Sequence, residues 1–201
     1  MLLLTMIIGY LLGSIPTSLI IGKTFFHQDI RTFGSGNLGG TNASRAFGLK
    51  IGVLVILLDG LKALISVFLG SLVSSDAAVY AGLMSVIGHC YPVFAQFKGG
   101  KGVASVFGFF LGTALFVTDS YLMFCSAFLT FFFVLYRWEM VSLASIVSVG
   151  VGALASLFQS HTGLMLSAFV LWALVIYRHR ENIQRIRDHS ERTVSFRKKK
   201  D

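Results

Sequence analysis

A glycine-rich segment near the start of the chain carries residue types suited to binding an anion. It reads Thr32-Phe33-Gly34-Ser35-Gly36-Asn37-Leu38-Gly39-Gly40-Thr41-Asn42-Ala43-Ser44-Arg45. Glycines let successive backbone N–H groups converge on an anion. Five side chains can add hydrogen-bond donors: Ser35, Asn37, Thr41, Asn42 and Arg45. The spacing Gly34-x-Gly36-x-x-Gly39 formally matches the dinucleotide fingerprint, but no strand precedes it. We therefore predict an anion site here; the alternative is a solvated loop.

A second polar segment, residues 88–102, ends in Gly99-Gly100-Lys101-Gly102 directly before an apolar stretch. The N–H groups and the dipole at the start of a helix favour an anion, and Lys101 adds a point charge. The nucleotide P-loop spacing is missing, so the pattern predicts a site for a bare phosphate. Pro92 is expected to end or kink the preceding helix. His89 is interpreted as a hydrogen-bonded core residue in preference to a ligand.

The third polar segment, Arg178-His179-Arg180-Glu181-Asn182-Ile183-Gln184-Arg185, follows the last apolar stretch. On a helix, His179 and Asn182 share a face because they are three residues apart. The alternative interpretation of this segment is a basic collar at the membrane surface. Ser142 begins another apolar stretch, where an ordinary helix N-cap is the simplest interpretation.

Asp59 and Lys62 place two opposite charges inside an apolar stretch. At a spacing of three residues they can pair on one helix face. Charges at membrane depth are commonly functional. A functional site and a structural ion pair stay equally open here.

The composition identifies the kind of scaffold that must position these segments. The chain has 201 residues, of which 55% are hydrophobic and 13% are charged, whereas soluble domains carry about 25% charged residues. Disordered, coiled-coil and secreted disulfide-rich proteins are excluded. Seven apolar stretches predict an all-α integral membrane protein with a single domain over 1–201: 3–22, 51–72, 78–97, 103–118, 121–136, 143–159 and 163–177, followed by a basic tail, 178–201. The first stretch is expected to be a retained span and no cleaved signal peptide.

The distribution of Lys and Arg predicts the orientation of these spans. Sixteen of the 17 basic residues fall on one side if the N-terminus is outside. The positive-inside rule then places the C-terminus and every long polar segment in the cytoplasm. The basic tail is expected to contact anionic lipid headgroups, and no nucleic acid. Gly9-xxx-Gly13 and Gly108-xxx-Gly112 predict close packing between helices or self-association. Cys90 and Cys125 are expected to be buried and reduced.

Several catalytic arrangements are missing from the sequence. No Asp lies five residues after any of the five histidines, and no Ser-His-Asp or metal-ligand spacing is present. We therefore expect no metal and no cofactor. The several phosphate-type segments predicted on one face of the membrane suggest an anionic, lipid-linked substrate. A transporter of small anions or lipids is the rival class, but its gates should lie on both faces of the membrane. A noncatalytic membrane anchor would leave the phosphate-type segments unexplained.

Residues 34–45, 88–105 and 178–185 resemble the three signature blocks of the bacterial acyl-phosphate-dependent glycerol-3-phosphate acyltransferase family. The blocks occur in the family's order, and the resemblance covers essentially the whole chain. It implies a multi-pass enzyme of the bacterial inner membrane with its active site on the cytoplasmic side. It implies transfer of a fatty acyl group from acyl phosphate to the 1-hydroxyl of glycerol 3-phosphate. Membrane lipids, and the enzyme that makes acyl phosphate, are then candidate partners.

The resemblance also implies roles for individual residues. Those of the substrate pocket are Ser35, Arg45, Lys101, Ser142, His179 and Asn182, while Gly99, Gly100 and Gly102 shape the phosphate-binding turn. His179, Lys101, Arg45 and Ser35 are the expected catalytic residues. The general base is either His179 or a phosphate of the substrate. Glu191 receives no role, because the preceding residues lack the glycine that the family pattern has there.

Overall fold

A computed structural model describes residues 1–194, and within that range every regular element is helical. We number its α-helices in chain order: α1 Leu2–Gly13, α2 Thr17–Phe25, α3 Gly40–Phe47, α4 Leu49–Ser71, α5 Ser75–Cys90, α6 Val103–Thr113, α7 Leu122–Trp138, α8 Val141–Ala155, α9 Thr162–Arg178 and α10 Arg180–Arg187. The all-α prediction is therefore confirmed for the described residues. Residues 195–201 of the predicted basic tail lie outside them.

Four segments of the described chain are long and apolar enough to cross a membrane: Leu2–Phe25, Leu49–Ser71, Ser75–Ala95 and Val141–Phe158. A fifth candidate joins α9 to α10, which are bent by 59° relative to each other. Val103–Thr118 and Leu122–Trp138 are apolar but shorter. Each of the seven predicted apolar stretches thus coincides with a helical segment. Length and composition support four or five spans, and the count of seven stays a prediction.

Two prolines interrupt the apolar helices where the chain approaches the polar segments. Pro16 separates α1 from α2, so the predicted stretch 3–22 is two helices and not one. Proline has no N–H to donate and clashes with the preceding turn, which breaks the hydrogen-bond ladder. The predicted effect of Pro92 is confirmed, because α5 ends at Cys90 and Tyr91 adopts a non-helical conformation.

The chain divides into two compact units, Met1–Ser120 and the part from Tyr121 onwards. In the first unit, α1 packs closely on α5. A Cβ atom on Gly9 or Gly13 would overlap the backbone of Ala81 or Ser85. Gly108 and Gly112 bring α6 equally close to α4. The predicted close packing is therefore confirmed, and both glycine pairs serve contacts within the chain.

The second unit contains α7 to α10. Its helices are joined by side-chain contacts such as the indole of Trp172, whose Nε1 donates a 3.1 Å hydrogen bond to the carbonyl of Ile146. The same ring covers Gly150 of α8. Of the two cysteines, Cys90 is buried as expected, whereas Cys125 on α7 is exposed. The expectation of burial was wrong for Cys125, which lies on an exposed face of α7 together with Leu122 and Leu129.

Candidate active site

The glycine-rich segment of the first unit is an ordered loop followed by a helix. Residues 33–39 form the loop, and the chain then turns into α3, which carries Thr41 and Arg45 on its exposed face. The composition alone favoured a loop throughout. The helix forms because Gly40 and Ser44 lie against Gly52 of α4, where a Cβ atom would not fit.

Asn42 braces this loop from inside. Its Oδ1 accepts a 3.1 Å hydrogen bond from the backbone N–H of Ser35. Its Nδ2 donates to the carbonyls of Ile30, at 3.2 Å, and Phe33, at 3.0 Å. Both amide hydrogens are thereby used. The sequence grouped Asn42 with the donors to substrate, but these bonds indicate that it acts by shaping the loop.

Further contacts fix the conformation of the same loop. Gly34 has φ +56°, a left-handed backbone that favours glycine, and a side chain there would meet the Asn42 amide. The hydroxyl of Ser18 donates a 2.6 Å hydrogen bond to the carbonyl of Leu38, and Asn37 Oδ1 accepts from the N–H of Gly39 at 2.9 Å. Ser35 is left at the exposed tip. Its hydroxyl can therefore face a ligand.

An ion pair orders the chain just before the loop. Arg31 Nη2 lies 2.6 Å from Asp29 Oδ2, and the Arg31 N–H donates to Oδ1 at 3.0 Å. The guanidinium hydrogen bonds lower the pKa of Asp29 to about 2. Asp29 is therefore ionised at neutral pH and paired with Arg31.

The second segment forms a tight turn onto α6. Gly99 and Gly100 are buried, and the N–H of Gly100 donates a 3.0 Å hydrogen bond to the carbonyl of His89. Gly102 has φ +86° and is the residue before the first turn of α6. The first N–H groups of a helix have no partner within it, and Lys101 is adjacent to them. We call residues 99–102 the glycine turn. It combines backbone donors with one cation, which suits a phosphate.

Two charged residues of α4, Asp59 and Lys62, are buried beside the glycine turn. Asp59 is 2% exposed and Lys62 is 8% exposed. Lys62 Nζ and the hydroxyl of Thr17 each lie 3.0 Å from Asp59 Oδ1, while His89 Nδ1 lies 3.5 Å from the same oxygen. The predicted pairing of Asp59 with Lys62 is confirmed. The third partner, His89, comes from another helix, and no spacing in the sequence pointed to it.

In the second unit, His179 lies at the bend between α9 and α10 and is 3% exposed. Its Nδ1 is 2.8 Å from the carbonyl of Val175. A carbonyl oxygen can only accept, so Nδ1 carries the hydrogen, and in the neutral ring the lone pair belongs to Nε2. That tautomer is the one that can take up a proton at Nε2.

Glu191 gathers the other predicted site residues of the second unit. Its Oε1 accepts from the hydroxyl of Ser142 at 2.8 Å and from Asn182 Nδ2 at 2.6 Å, and its Oε2 accepts from Arg185 Nε at 2.8 Å. Burial would raise the pKa of this carboxyl, but the three donors outweigh burial and hold the pKa below its usual value. The N-cap interpretation of Ser142 was wrong, because Met140 holds that position and Ser142 lies within α8, where its hydroxyl donates to a charge.

The chain end that carries Glu191 is shaped by the termination of α10. The N–H of Ser190 donates to the carbonyl of Arg185 at 2.8 Å, and the N–H of His189 donates to Ile186 at 3.2 Å. This is the Schellman arrangement, which requires a left-handed residue. His189 supplies it with φ +52°. A histidine thus adopts here a backbone conformation that glycine favours, and sequence reasoning missed Glu191 because no glycine precedes it.

Known proteins resemble this chain over nearly its whole length. The glycerol-3-phosphate acyltransferase family matches residues 3–189. A glycerol-3-phosphate acyltransferase of Macrococcus caseolyticus (strain JCSC5402) is 39% identical over 196 residues, covering 97% of this chain and 98% of its own length. One from Streptococcus pyogenes serotype M5 (strain Manfredo) is 40% identical over 206 residues, covering 97% and 94%.

Two solved structures share the fold. Both are crystal structures of PlsY, an integral membrane glycerol 3-phosphate acyltransferase. The glycerol 3-phosphate form has a TM-score of 0.89 and 38% identity, covering 96% of each chain. The lysophosphatidic acid form has a TM-score of 0.86 and 37% identity, covering 96% of this chain and 95% of its own.

Proposed function

The chain belongs to the glycerol-3-phosphate acyltransferase family, and we propose that it transfers a fatty acyl group from acyl phosphate to the 1-hydroxyl of glycerol 3-phosphate. The products are 1-acyl-glycerol 3-phosphate (lysophosphatidate) and phosphate, and the reaction is the first acylation of phospholipid biosynthesis. The two ligand forms in which the PlsY neighbour was solved support the acceptor and the product.

The observation that carries the proposal is the glycine turn at the N-terminus of α6. It places Lys101 directly before the first turn of α6, whose N–H groups have no partner within the helix, and it lacks the spacing of a nucleotide-binding loop. Both proposed substrates carry a phosphate. We assign the binding of phosphate oxygens to this turn and to Arg45, with Ser35, Asn37 and Thr41 as further donors, and Asn42 as the residue that holds their loop.

The reaction needs no covalent acyl-enzyme. The oxygen of the 1-hydroxyl attacks the acyl carbonyl carbon, the bond from that carbon to the phosphate oxygen breaks, and inorganic phosphate leaves with the electron pair. Acyl phosphate is already activated as a mixed anhydride. The protein therefore contributes orientation of the two substrates and stabilisation of the developing negative charge. Lys101 and Arg45 supply the positive charges for this stabilisation.

The hydroxyl proton needs an acceptor, and we assign it to Nε2 of His179. The hydrogen bond from Nδ1 to Val175 supports this choice, because it leaves Nε2 with the lone pair. A phosphate oxygen of the substrate is the alternative acceptor. Ser142 and Asn182 are assigned to the substrate pocket, with Glu191 orienting both through its hydrogen bonds.

The proposal extends to the position of the protein in the cell. We propose seven spans in the bacterial inner membrane, with the N-terminus outside and the polar segments on the cytoplasmic side, as the Lys and Arg distribution favours. Acyl phosphate is the proposed donor because the polar segments are short and glycine-rich, which suits a bare phosphate group beside a lipid tail. The enzyme that makes acyl phosphate is then the natural upstream partner.

The test is mass spectrometry of the products formed by the purified protein from glycerol 3-phosphate and one donor at a time. We expect lysophosphatidate with acyl phosphate and none with acyl-CoA. Comparable rates with acyl-CoA would refute the choice of donor. An absence of acylated product with both donors, in a preparation that still binds glycerol 3-phosphate, would favour the transporter.

A further inference from the structure

We propose that His89 is a positioning residue for the glycine turn and that Asp59 fixes the orientation of its ring. The proposal rests on the proposed function, because it assumes that this turn binds a substrate phosphate. It gives a role to the buried charges of α4, which the resemblance leaves unassigned.

His89 contacts the glycine turn through both its backbone and its side chain. Its carbonyl accepts the hydrogen bond from the N–H of Gly100 at 3.0 Å. The Nε2 end of its ring is the part nearest to Gly100, so close that a Cβ atom at residue 100 would overlap it. The path of the turn therefore depends on where the imidazole lies, and only glycine fits at residue 100.

Asp59 determines how that imidazole is held. Its Oδ1 lies 3.5 Å from His89 Nδ1, and both side chains are buried, at 3% and 6% exposure. A carboxylate accepts, so this pairing favours the hydrogen on Nδ1 and presents Nε2 towards the turn. The arrangement resembles the carboxylate–histidine pairs that orient ligand-binding rings at other sites.

The α4 backbone holds the far side of the glycine turn as well. The hydroxyl of Ser105, in the first turn of α6, donates a 3.0 Å hydrogen bond to the main-chain carbonyl of Asp59. One residue of α4 is thus connected to the beginning of the turn through His89 and to its end through Ser105. Lys62 holds the Asp59 carboxylate in place, since its Nζ contacts Asp59 and also donates to the carbonyl of Ile15 at 3.0 Å.

Stability alone gives no reason to keep these charges. Burying an ion pair costs desolvation free energy, and apolar residues of similar size are often as stabilising. Asp59, Lys62 and His89 occupy positions where the neighbouring residues of α4 and α5 are mostly apolar. We attribute the presence of these buried charges to their role in positioning the glycine turn.

Two variants of His89 separate positioning from simple packing. His89→Gln can place a polar atom near the Nε2 position, against Gly100. His89→Asn can still pair with Asp59 but does not reach the turn. We expect the Asn variant to raise the KM for at least one phosphate substrate about tenfold or more, and the Gln variant to recover most of that loss. Ser85→Ala, one turn earlier on α5, should leave the KM unchanged.

The second measurement is the rise in unfolding temperature that inorganic phosphate causes in detergent solution. It should be smaller for His89→Asn than for the wild type and near normal for His89→Gln. If His89→Asn does not fold, the double variant Asp59→Asn/Lys62→Met removes both charges together and should show the same rise in KM. Normal KM values and normal phosphate stabilisation in folded His89→Asn, or in the folded double variant, would overturn the proposal. Failure of the wild type to make lysophosphatidate would instead overturn the proposed function.

Discussion

Asn182 Nδ2 donates a 2.6 Å hydrogen bond to Oε1 of Glu191, the same oxygen that accepts from the hydroxyl of Ser142. One carboxylate thus links the start of α8 to α10. Three donors surround it, and its side chain is 6% exposed. The geometry of the predicted substrate residues in this unit therefore depends on a residue that lies outside the signature blocks.

Glu191→Ala should destabilise the protein and lower its activity. It leaves the donors of Ser142, Asn182 and Arg185 without their acceptor, at a cost of about 2–4 kcal/mol. Asp188→Asn is the matched control, because that carboxylate is exposed and accepts from Gln184 on the same helix. Thermal unfolding in detergent measures both. Equal unfolding temperatures for the two variants would contradict this role of Glu191.

The lowered pKa of Glu191 predicts a pH dependence with a definite sign. A carboxyl with a lowered folded-state pKa stabilises the protein above its ordinary pKa, 4.5, and loses that contribution as the pH falls through the folded value. The wild type should therefore lose stability more steeply than Glu191→Gln below about pH 4.5. Unfolding curves recorded across that range measure the difference, and parallel pH profiles would count against it.

Lys101→Ala and Arg45→Ala should each reduce kcat/KM while the protein still folds. Each removes a charge-assisted contact to phosphate worth about 1.5–3 kcal/mol, which corresponds to roughly tenfold to over a hundredfold. Lys50→Ala, an exposed residue between the two segments, serves as the charge-matched control. Near-normal kinetics in both site variants would show that the segments are structural.

His179→Ala should lower kcat by about two orders of magnitude or more, if His179 accepts the hydroxyl proton. The acidic limb of the pH–rate profile should disappear with it. Kinetics of both proteins between pH 5 and 9, roughly the range over which histidine titrates, measure this. A retained acidic limb would assign the proton to the substrate phosphate.

His189→Gly should stabilise the protein by about 1 kcal/mol, because a left-handed residue other than glycine carries a steric cost. Ser190→Gly is the control at the next residue, whose φ is not in the positive region. The comparison is the shift in unfolding temperature of each variant. An increase in both, or in neither, would contradict the strain assigned to His189.

Reporter fusions test the proposed orientation. A fusion at the C-terminus should be active as a cytoplasmic reporter, and one at Ser74, between α4 and α5, as a periplasmic reporter. The opposite pattern would rule out seven spans with the N-terminus outside. So would a result that places both termini on the same side of the membrane.

The apolar helices and the end of α5 were predictable because apolar length and proline act locally, whereas the break at Pro16 was missed. Pro92 ends α5 and the glycine pairs pack as expected. Asn42 was less predictable. Its amide is suited to a ligand, yet the folded loop consumes both of its hydrogens. The residue type shows which bonds are available and leaves the partner undetermined.

The contacts between distant parts of the chain account for the rest. Asp59 and Lys62 were paired from their spacing, whereas His89 lies 30 residues from Asp59 and meets it only when α4 and α5 pack. Glu191 was missed because the pattern was judged by residue identity. A backbone conformation that glycine favours is still present, in His189.

The shortness of the helical segment after the glycine turn has a consequence for how the two substrates meet. Val103–Thr118 contains sixteen residues, about 24 Å of helix, against a hydrocarbon core of about 30 Å. In the seven-span arrangement proposed above, this hydrophobic mismatch requires the bilayer to thin locally or the turn to lie below the headgroups. In both cases a lipid tail can deliver its polar end to the turn without being drawn into water. Only the small, water-soluble acceptor, glycerol 3-phosphate, has to diffuse to the turn from the aqueous phase.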